Sequence, residues 1–537
     1  MPRILLQNVY AQVILAFLVI LLLKWDTLTQ APVWDTAMGV FPAALTLAGN
    51  GFDLIALLQM PKFLQGGPNV HSTSWVTLLT AVVLMLTGGG LKSFVALHLL
   101  HFGIAAAALV TLFQLARPVL GRVATLLLCL SVLLYPVFSV QVGYMYLEVP
   151  LFLCGVAALL AWVRGRFWWA VLWSTLAVAT KEAGIIVPAT LALATLLESR
   201  SLTARLRRVA QIAVPPAVWL GTIKLVSMLG AETFEVLPSL QGMFGGFVDN
   251  LGHFLLNVPD LLIFIIVFLI ASLLSGKQLT KTLRLEPSDL AARDQERQAR
   301  LVLALSGIMI LCFLLLFTIA LPIGVHFTLI LPRYYVVILP FLLLWTGYTA
   351  QRLLGGRFKS PASGCFILLS VFFSLNTEGR YYPLDTETYS GPATNNFPLT
   401  ERSNAYRRLN AVQREAMQYL ETLPEDAHVF YGFYEHYLFS YPELGYTSGP
   451  LRNGHSVPFD TTGPDGSLKP GIFPDCLYVL YSHPWLAADY MWGYVQFVDS
   501  REDLSRETVR EFRDGRYKIS LIRVRRAGAA CPAMAGG

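Results

Sequence analysis

Residues 74–115 read SWVTLLTAVVLMLTGGGLKSFVALHLLHFGIAAAALVTLFQL, two apolar runs separated by Gly88, Gly89 and Gly90. How often this stretch crosses a membrane decides the sidedness of everything after it. A spanning helix rises about 1.5 Å per residue and needs about 20 apolar residues to cross a hydrocarbon core of about 30 Å. Both runs look like spans, but counting both would put the basic turn that follows, with Arg117 and Arg122, on the outside. Lys and Arg are biased to the cytoplasmic side, so residues 91–115 read as the second true span. Residues 74–87 then read as a helix lying in, or re-entering, the outer interface.

The rest of the chain is consistent with a polytopic membrane protein. Of its 537 residues, 55% are hydrophobic and only 14% charged. The mean hydropathy is +0.56, a combination that soluble globular chains of this length do not normally reach. The expected spans are residues 10–23, 91–115, 123–140, 149–163, 168–179, 185–197, 209–229, 261–274, 301–321, 334–348 and 365–375, about eleven in all. Residues 10–23, preceded by Arg3, could be a signal peptide. No small-residue cleavage site follows and many spans do, so a retained anchor is the better reading.

With the N-terminus in the cytoplasm, 18 of the 24 Lys and Arg residues before position 377 fall on the cytoplasmic side. They lie in the N-terminal segment and in loops 117–122, 164–166, 200–208, 277–300 and 352–359. Everything after Asn376 is then outside. That tail carries 16 basic and 20 acidic residues, net −4, against +10 for the part before it (24 basic, 14 acidic). Residues 377–537 therefore read as a separate extracytoplasmic soluble domain and 1–376 as the membrane domain.

The tail has an α/β pattern: a helix over 403–423 ended by Pro424, strands over 428–431, 476–481 and 494–498, and a terminal alternating strand over 517–524. It shows no catalytic motif. Phe430, Tyr431, Phe433, Tyr434, Tyr437, Phe439 and Tyr441 could stack on sugars or simply pack a small core; packing is the plainer reading. Cys129, Cys154, Cys312 and Cys365 fall in apolar spans and read as small buried hydrophobes. Cys476 and Cys531 lie in the tail, where an oxidising compartment would allow them to pair or leave them free.

Every Asp and Glu before residue 377 sits in a loop or at a span end, as the cost of a charge at the bilayer centre requires. Several charges converge on the outer side: Asp35 in Ala31-Pro-Val-Trp34-Asp35-Thr36, Asp53 in the same first loop, Glu148 in Tyr144-Met-Tyr146-Leu-Glu148-Val-Pro150, Lys181-Glu182 in the next turn, and Arg333 ahead of Tyr334 and Tyr335. Each alone could be an interfacial charge reaching for water. On one face together, they read as a site.

At these residues the chain resembles the GT-C glycosyltransferase superfamily, which includes protein O-mannosyltransferases, the aminoarabinose transferases of lipid A and oligosaccharyltransferases. The likeness lies in an ordered series over most of residues 1–376. An anchor span precedes an outer loop with an early Asp, then an apolar interfacial helix and the turn R-x-x-x-G-R at 117–122. An acidic residue on the second outer loop, A-x-x-T-K-E at 177–182 and R-Y-Y-x-x-x-x-P at 333–340 complete it. The resemblance implies a GT-C type helical bundle that transfers a sugar from a polyprenyl-phosphate carrier to a glycan, lipid or protein acceptor on the outer face. It makes Asp35 the catalytic carboxylate and Glu148 the second acidic residue, with Arg333 and Lys181 at the lipid phosphate. Asp53, Glu182, Tyr334 and His71 are further candidates for substrate contact; for His71 a structural loop histidine is the plainer reading.

The chemistry stands without the resemblance. A phosphate ester is already a good leaving group, so the reaction needs a base for the acceptor hydroxyl and a cation for the developing negative charge. A guanidinium offers a planar fork to phosphate oxygens, and a single displacement inverts the anomeric centre. Two departures bear on detail. Thr36 replaces the Glu that follows the first Asp in mannosyltransferases, and Glu148 lacks the acidic neighbour of metal-dependent oligosaccharyltransferases. A divalent cation would want more carboxylates than these, which favours metal-independent chemistry.

The glycine- and proline-punctuated loop 230–259 reads either as a segment closing over the donor or as an interfacial helix pair. A lipid or solute transporter is the alternative function. Transporters place polar residues near mid-membrane and often show internal repeats, whereas here the mid-span positions read as almost uniformly apolar and no repeat is found. A non-catalytic scaffold is a third reading. The expected setting is a bacterial inner membrane, with membrane lipids as neighbours and no nucleic-acid partner.

Overall fold

The computed structural model describes residues 8–33, 36–53, 73–230, 263–273, 295–316, 332–354, 364–365, 367–368, 405–449, 451, 454–456, 475–483, 498–499, 501–514 and 517–531. Asp35, His71, most of the loop 230–259 and most of the expected span 365–375 lie outside the described residues. The chain divides into two compact units. One comprises Met1–Leu28, Gly39–Thr87 and Val95–Glu378, the other Thr29–Met38, Gly88–Phe94 and Gly379–Gly537.

The first unit is helical. Its helices, in order, are α1 (Val9–Lys24), α2 (Phe41–Gly49), α3 (Trp75–Thr87), α4 (Gly90–Leu120), α5 (Arg122–Leu134), α6 (Pro136–Tyr144) and α7 (Glu148–Val163). They continue with α8 (Phe167–Val178), α9 (Ile186–Leu196), α10 (Leu202–Gly230), α11 (Ile263–Leu273), α12 (Gln295–Leu315) and α13 (Leu339–Leu354). Asn8 starts α1 as an N-cap, its Oδ1 accepting the Tyr10 N–H at 2.9 Å, which satisfies a donor the helix cannot. Helix α7 is buried along almost its whole length. It packs against α8, α9, α12 and a short turn, Pro332–Val337, as expected of a helix apolar on every side.

Among the described residues, three spans are long and apolar enough to cross a membrane: Val9–Thr27, Gly90–Leu120 and Gln295–Leu315. The pair α5 and α6 adds a fourth if counted as one. The expected count of about eleven is not reached among the described residues on these criteria, because many apolar runs end early. Trp75–Thr87, Glu148–Val163, Phe167–Val178, Glu182–Leu196 and Ile263–Leu273 are apolar but shorter. The expected span 123–140 is broken by a bend of 62°. Pro136 supplies no N–H and disfavours helix at Tyr135, which sits at φ −62°, ψ 126° and splits α5 from α6. The expected span 334–348 likewise begins as the tight turn Pro332–Val337 before α13.

The interior is less uniformly apolar than the sequence suggested. His98 and His101 on α4, Gln141 on α6 and Ser306 on α12 are all buried. His98 Nε2 lies 3.1 Å from the Gly143 carbonyl, and Trp345 donates to Ser306 Oγ at 3.1 Å. An apolar run hides such residues because hydropathy averages over them.

In the second unit, α14 (Ala405–Leu420) is followed by β1 (His428–Tyr431), α15 (Phe433–Ser440), β2 (Gly454–Ser456), β3 (Cys476–His483), β4 (Leu504–Asp514) and β5 (Tyr517–Arg526). The sheet order is β2-β1-β3-β5-β4. Strand β1 runs parallel to β2 and β3, and β5 runs antiparallel to β3 and β4. Phe430, Leu477, Val479, Tyr481, Val498, Ile522 and Val524 form a core, and Phe430, Tyr431, Tyr437 and Phe439 are buried, as packing residues are.

Strands expected at 428–431, 476–481 and 517–524 are present. The strand expected at 494–498 is not supported at Val498, which lies outside any strand; the rest of that stretch is not described. Strand β4 was not expected. It is an edge strand, exposed on both faces over most of its length, so it lacks the apolar alternation that betrays a half-buried strand. Its backbone ladder to β5 holds it, with charged pairs added on the surface: Arg523 donates to Glu507 at 2.6 Å, and Glu511 pairs with Lys518 and Arg513. The Lys518 hydrogen bond is the largest of the effects that hold the Glu511 carboxyl below its ordinary range. Charges on an edge strand also discourage pairing with other chains.

Cys476 and Cys531 form a disulfide across a sequence separation of 55. Closing a loop of that size restricts the unfolded chain, so replacing both cysteines by serine should destabilise this unit by about 2–4 kcal/mol. Denaturant unfolding with and without reductant measures it.

The turn Glu182–Ile185 links α8 to α9. A Cβ on Gly184 would stand 2.1 Å from the Ala177 carbonyl oxygen and 2.7 Å from the Val178 nitrogen. Backbone cannot yield as a side chain can. Gly184→Ala should cost about 1–3 kcal/mol or more, read as a lower thermal midpoint and folded yield in detergent.

Candidate functional site

Three breaks between helices carry the candidate residues of the first unit. At the first, α6 ends at Met145, a non-glycine residue in the left-handed region at φ 58°, ψ 34°. The reversal sends the chain through Tyr146 and Leu147 and starts α7 at Glu148. A carboxylate in the first turn of a helix meets the positive end of the helix dipole. At the second break, α8 gives way to Thr180-Lys181. Trp75 on α3 donates from Nε1 to Thr180 Oγ1 at 2.7 Å, and Gly184 N–H donates to the Lys181 carbonyl at 2.8 Å. At the third, the turn Pro332–Val337 presents Arg333 and Tyr334.

The structure brings Glu148, Lys181, Arg333 and Tyr334 together. Lys181 Nζ donates to Glu148 Oε1 at 2.6 Å, and Arg333 Nε lies 3.6 Å from the same oxygen. Glu148 is 1% exposed and Lys181 2%. Aromatic faces close the cluster: Lys181 Nζ is 4.6 Å from the centre of the Tyr334 ring. The Arg333 guanidinium is 5.3 Å from that of Tyr146 and 5.6 Å from that of Tyr334. Cations over aromatic faces are attracted by the ring quadrupole, more strongly where water is excluded.

Glu148 Oε2 is buried and has no hydrogen-bond partner among the described residues. The cluster brings two cations to one carboxylate among the described residues, and clustered cations suit an anionic ligand bearing several oxygens. The other described candidates stand differently. Glu182 is exposed although its neighbour Lys181 is buried, and Asp53 is exposed at the end of α2. Tyr146, Trp75, Thr180 and Gly184 escaped the sequence reading. Tyr146 and Thr180 lie inside quoted motifs; Trp75 and Gly184 act through folding and leave no local signal. No group of three or more His, Cys, Asp or Glu side chains is arranged to hold a metal ion among the described residues.

Removing one member of a buried ion pair leaves the other uncompensated, at a cost of about 3–5 kcal/mol. Glu148→Gln should therefore lower the thermal midpoint markedly. Lys181→Met with Glu148→Gln, which removes both charges, should recover part of the loss. A double-mutant cycle by thermal unfolding in detergent measures the coupling.

No family model matches the chain, and no curated protein does. Among solved structures it is similar to ArnT from Cupriavidus metallidurans bound to undecaprenyl phosphate, at 14% identity and a TM-score of 0.44, covering 97% of this chain and 99% of that one. It is also similar to ArnT from the same organism in the apo state, at 15% identity and a TM-score of 0.42, covering 95% and 97%. Likenesses this distant assign neither family nor activity, and function has to be argued from the residues.

Proposed function

We propose that the protein is an inverting glycosyltransferase of GT-C type that moves a sugar from a polyprenyl-phosphate carrier to a hydroxyl of a glycan, lipid or protein. The observation that carries this reading is the buried cluster in which Lys181 and Arg333 both meet Glu148 Oε1. Two cations at the ends of membrane helices are what a lipid phosphate requires.

In the proposed reaction the acceptor oxygen forms a bond to the anomeric carbon, and the bond from that carbon to the phosphate oxygen breaks. The electron pair leaves with the polyprenyl phosphate, whose charge Lys181 and Arg333 would hold. The acceptor proton passes to a carboxylate, which the sequence reading assigns to Asp35. Glu148 would keep the two cations aimed in the absence of phosphate. Tyr334 would shield the site from water on one side, with Asp53, Glu182 and His71 as further contacts to sugar or acceptor. No metal ion is required by this scheme. The setting belongs to the same proposal: a bacterial inner membrane, with reaction and residues 377–537 on the extracytoplasmic side.

The buried His98, His101 and Gln141 favour keeping a lipid or solute transporter as a second reading, since intramembrane polar residues often mark a path. Flux of a labelled carrier across proteoliposomes without sugar transfer would establish it.

The direct test incubates purified protein with a panel of radiolabelled polyprenyl-phosphate sugars and follows binding and slow hydrolysis. Wild type should bind at least one donor and turn it over in the presence of EDTA. Lys181→Met should weaken donor binding, and Asp35→Asn should bind but turn over about a hundredfold slower or worse. Folded wild type that neither binds nor hydrolyses any donor would remove the donor assignment. Unchanged turnover in Asp35→Asn would remove the base.

A further inference from the structure

A second cluster of charge lies away from the candidate site, where the turn between α7 and α8 meets the segment joining α9 to α10. Arg164, Arg166, Arg200, Arg205, Arg207 and Arg208 stand there with one acid, Glu198. The two segments adjoin in space. The Arg208 guanidinium lies 4.6 Å from the centre of the Phe167 ring and 5.3 Å from that of Trp162, the residues flanking the first turn.

The cluster is built as well as charged. Glu198 is 5% exposed, and its Oε2 meets Arg200 Nε at 3.0 Å and Arg208 Nη1 at 3.3 Å. Arg205 Nη1 donates to the Leu196 carbonyl at 2.6 Å, closing the end of α9. Arg164 Nη2 donates to Gln114 Oε1 at 2.5 Å. A cytoplasmic bias of Lys and Arg accounts for the number of cations. It does not require that Arg200 and Arg208 meet on one buried carboxylate or that Arg208 lie over two aromatic rings.

The surroundings say what kind of anion fits. Trp168 and Trp169 on α8 are 64% and 54% exposed, and Leu202 and Leu206 on α10 are 60% and 52% exposed. Tryptophan beside arginine at a helix end is the pattern of a membrane interface. Apolar side chains next to a net charge of +5, six arginines against Glu198, suit a ligand with a phosphate at one end and acyl chains at the other. A soluble anion would leave the tryptophans and leucines bare. We propose that the two turns form a binding site for the headgroup phosphate of an anionic phospholipid, with its chains lying along Trp168, Trp169, Leu202 and Leu206. The site does not depend on the transfer reaction, and its phosphate-binding residues are separate from Lys181 and Arg333.

The test uses the full-length protein exchanged into vesicles of phosphatidylcholine alone or mixed with phosphatidylglycerol, with retained lipid read by native mass spectrometry. Wild type should retain phosphatidylglycerol over phosphatidylcholine by about tenfold or more. The pair Arg166→Gln with Arg207→Gln, both exposed, should fold normally and lose most of that preference, by about thirtyfold in affinity. Arg208→Gln should lose it too, with some loss of stability from its ring contacts. Inorganic phosphate should not compete at concentrations matching the lipid. Equal retention of the two lipids by wild type, or full preference in the folded pair variant, overturns the site. Full competition by inorganic phosphate overturns the lipid as its occupant.

Discussion

The ion pair between Glu148 and Lys181 is the constraint around which the first unit is arranged. Two charges that are almost wholly buried lose their hydration, and only close geometry repays the loss. Here the distance is 2.6 Å, with Arg333 beside the same oxygen at 3.6 Å. Keeping three charged groups within this range requires three separate segments to end their helices at one place. Met145 in the left-handed region ends α6, the Lys181 turn ends α8, and a tight turn precedes α13. Each irregularity costs something locally, and the shared carboxylate is where they meet.

Gly184 and Trp75 show how far that constraint reaches into packing. The turn after Lys181 folds so closely on the end of α8 that only hydrogen fits at Gly184. The Trp75 bond to Thr180 ties the same turn to α3, the helix that the charge count laid in the interface. Neither residue bears a charge near the cluster, yet each limits where the Lys181 ammonium can go. A site built on helix ends gains reach from the turns and depends on neighbours to hold them still.

The sequence made the charged members of the cluster legible because their chemistry is conspicuous against apolar runs. Glu148, Lys181, Arg333 and Tyr334 could be named from sidedness and from the motifs around them. What could not be read was the backbone: the bend at Tyr135 and Pro136, the shortness of α8, and the turn in place of a continuous helix at Arg333. Hydropathy reports burial from water without saying whether a run is straight. It also concealed His98, His101 and Gln141 among leucines. In the tail, β1, β3 and β5 showed themselves by apolar content, whereas β4 pairs with β5 through its backbone and is exposed along most of its length, so it carries no such pattern. Asp35 and His71 lie outside the described residues, so their placement adds nothing to what sequence says of them.

The surroundings of Glu148 bear on which part it could take in the proposed reaction. A general base must reach within hydrogen-bond distance of the acceptor hydroxyl. Glu148 is poorly placed for this: Oε1 is engaged by Lys181, and Oε2 is buried and accepts no hydrogen bond among the described residues. Its position at the start of α7 instead suits a fixed negative charge, favoured there by the helix dipole and needed to offset two cations. An incoming phosphate would compete with Glu148 for Lys181 and Arg333, its oxygens accepting the N–H donors that the carboxylate releases. In the proposed reaction the acceptor proton would then go elsewhere, and Asp35 is the carboxylate that the sequence reading offers for it.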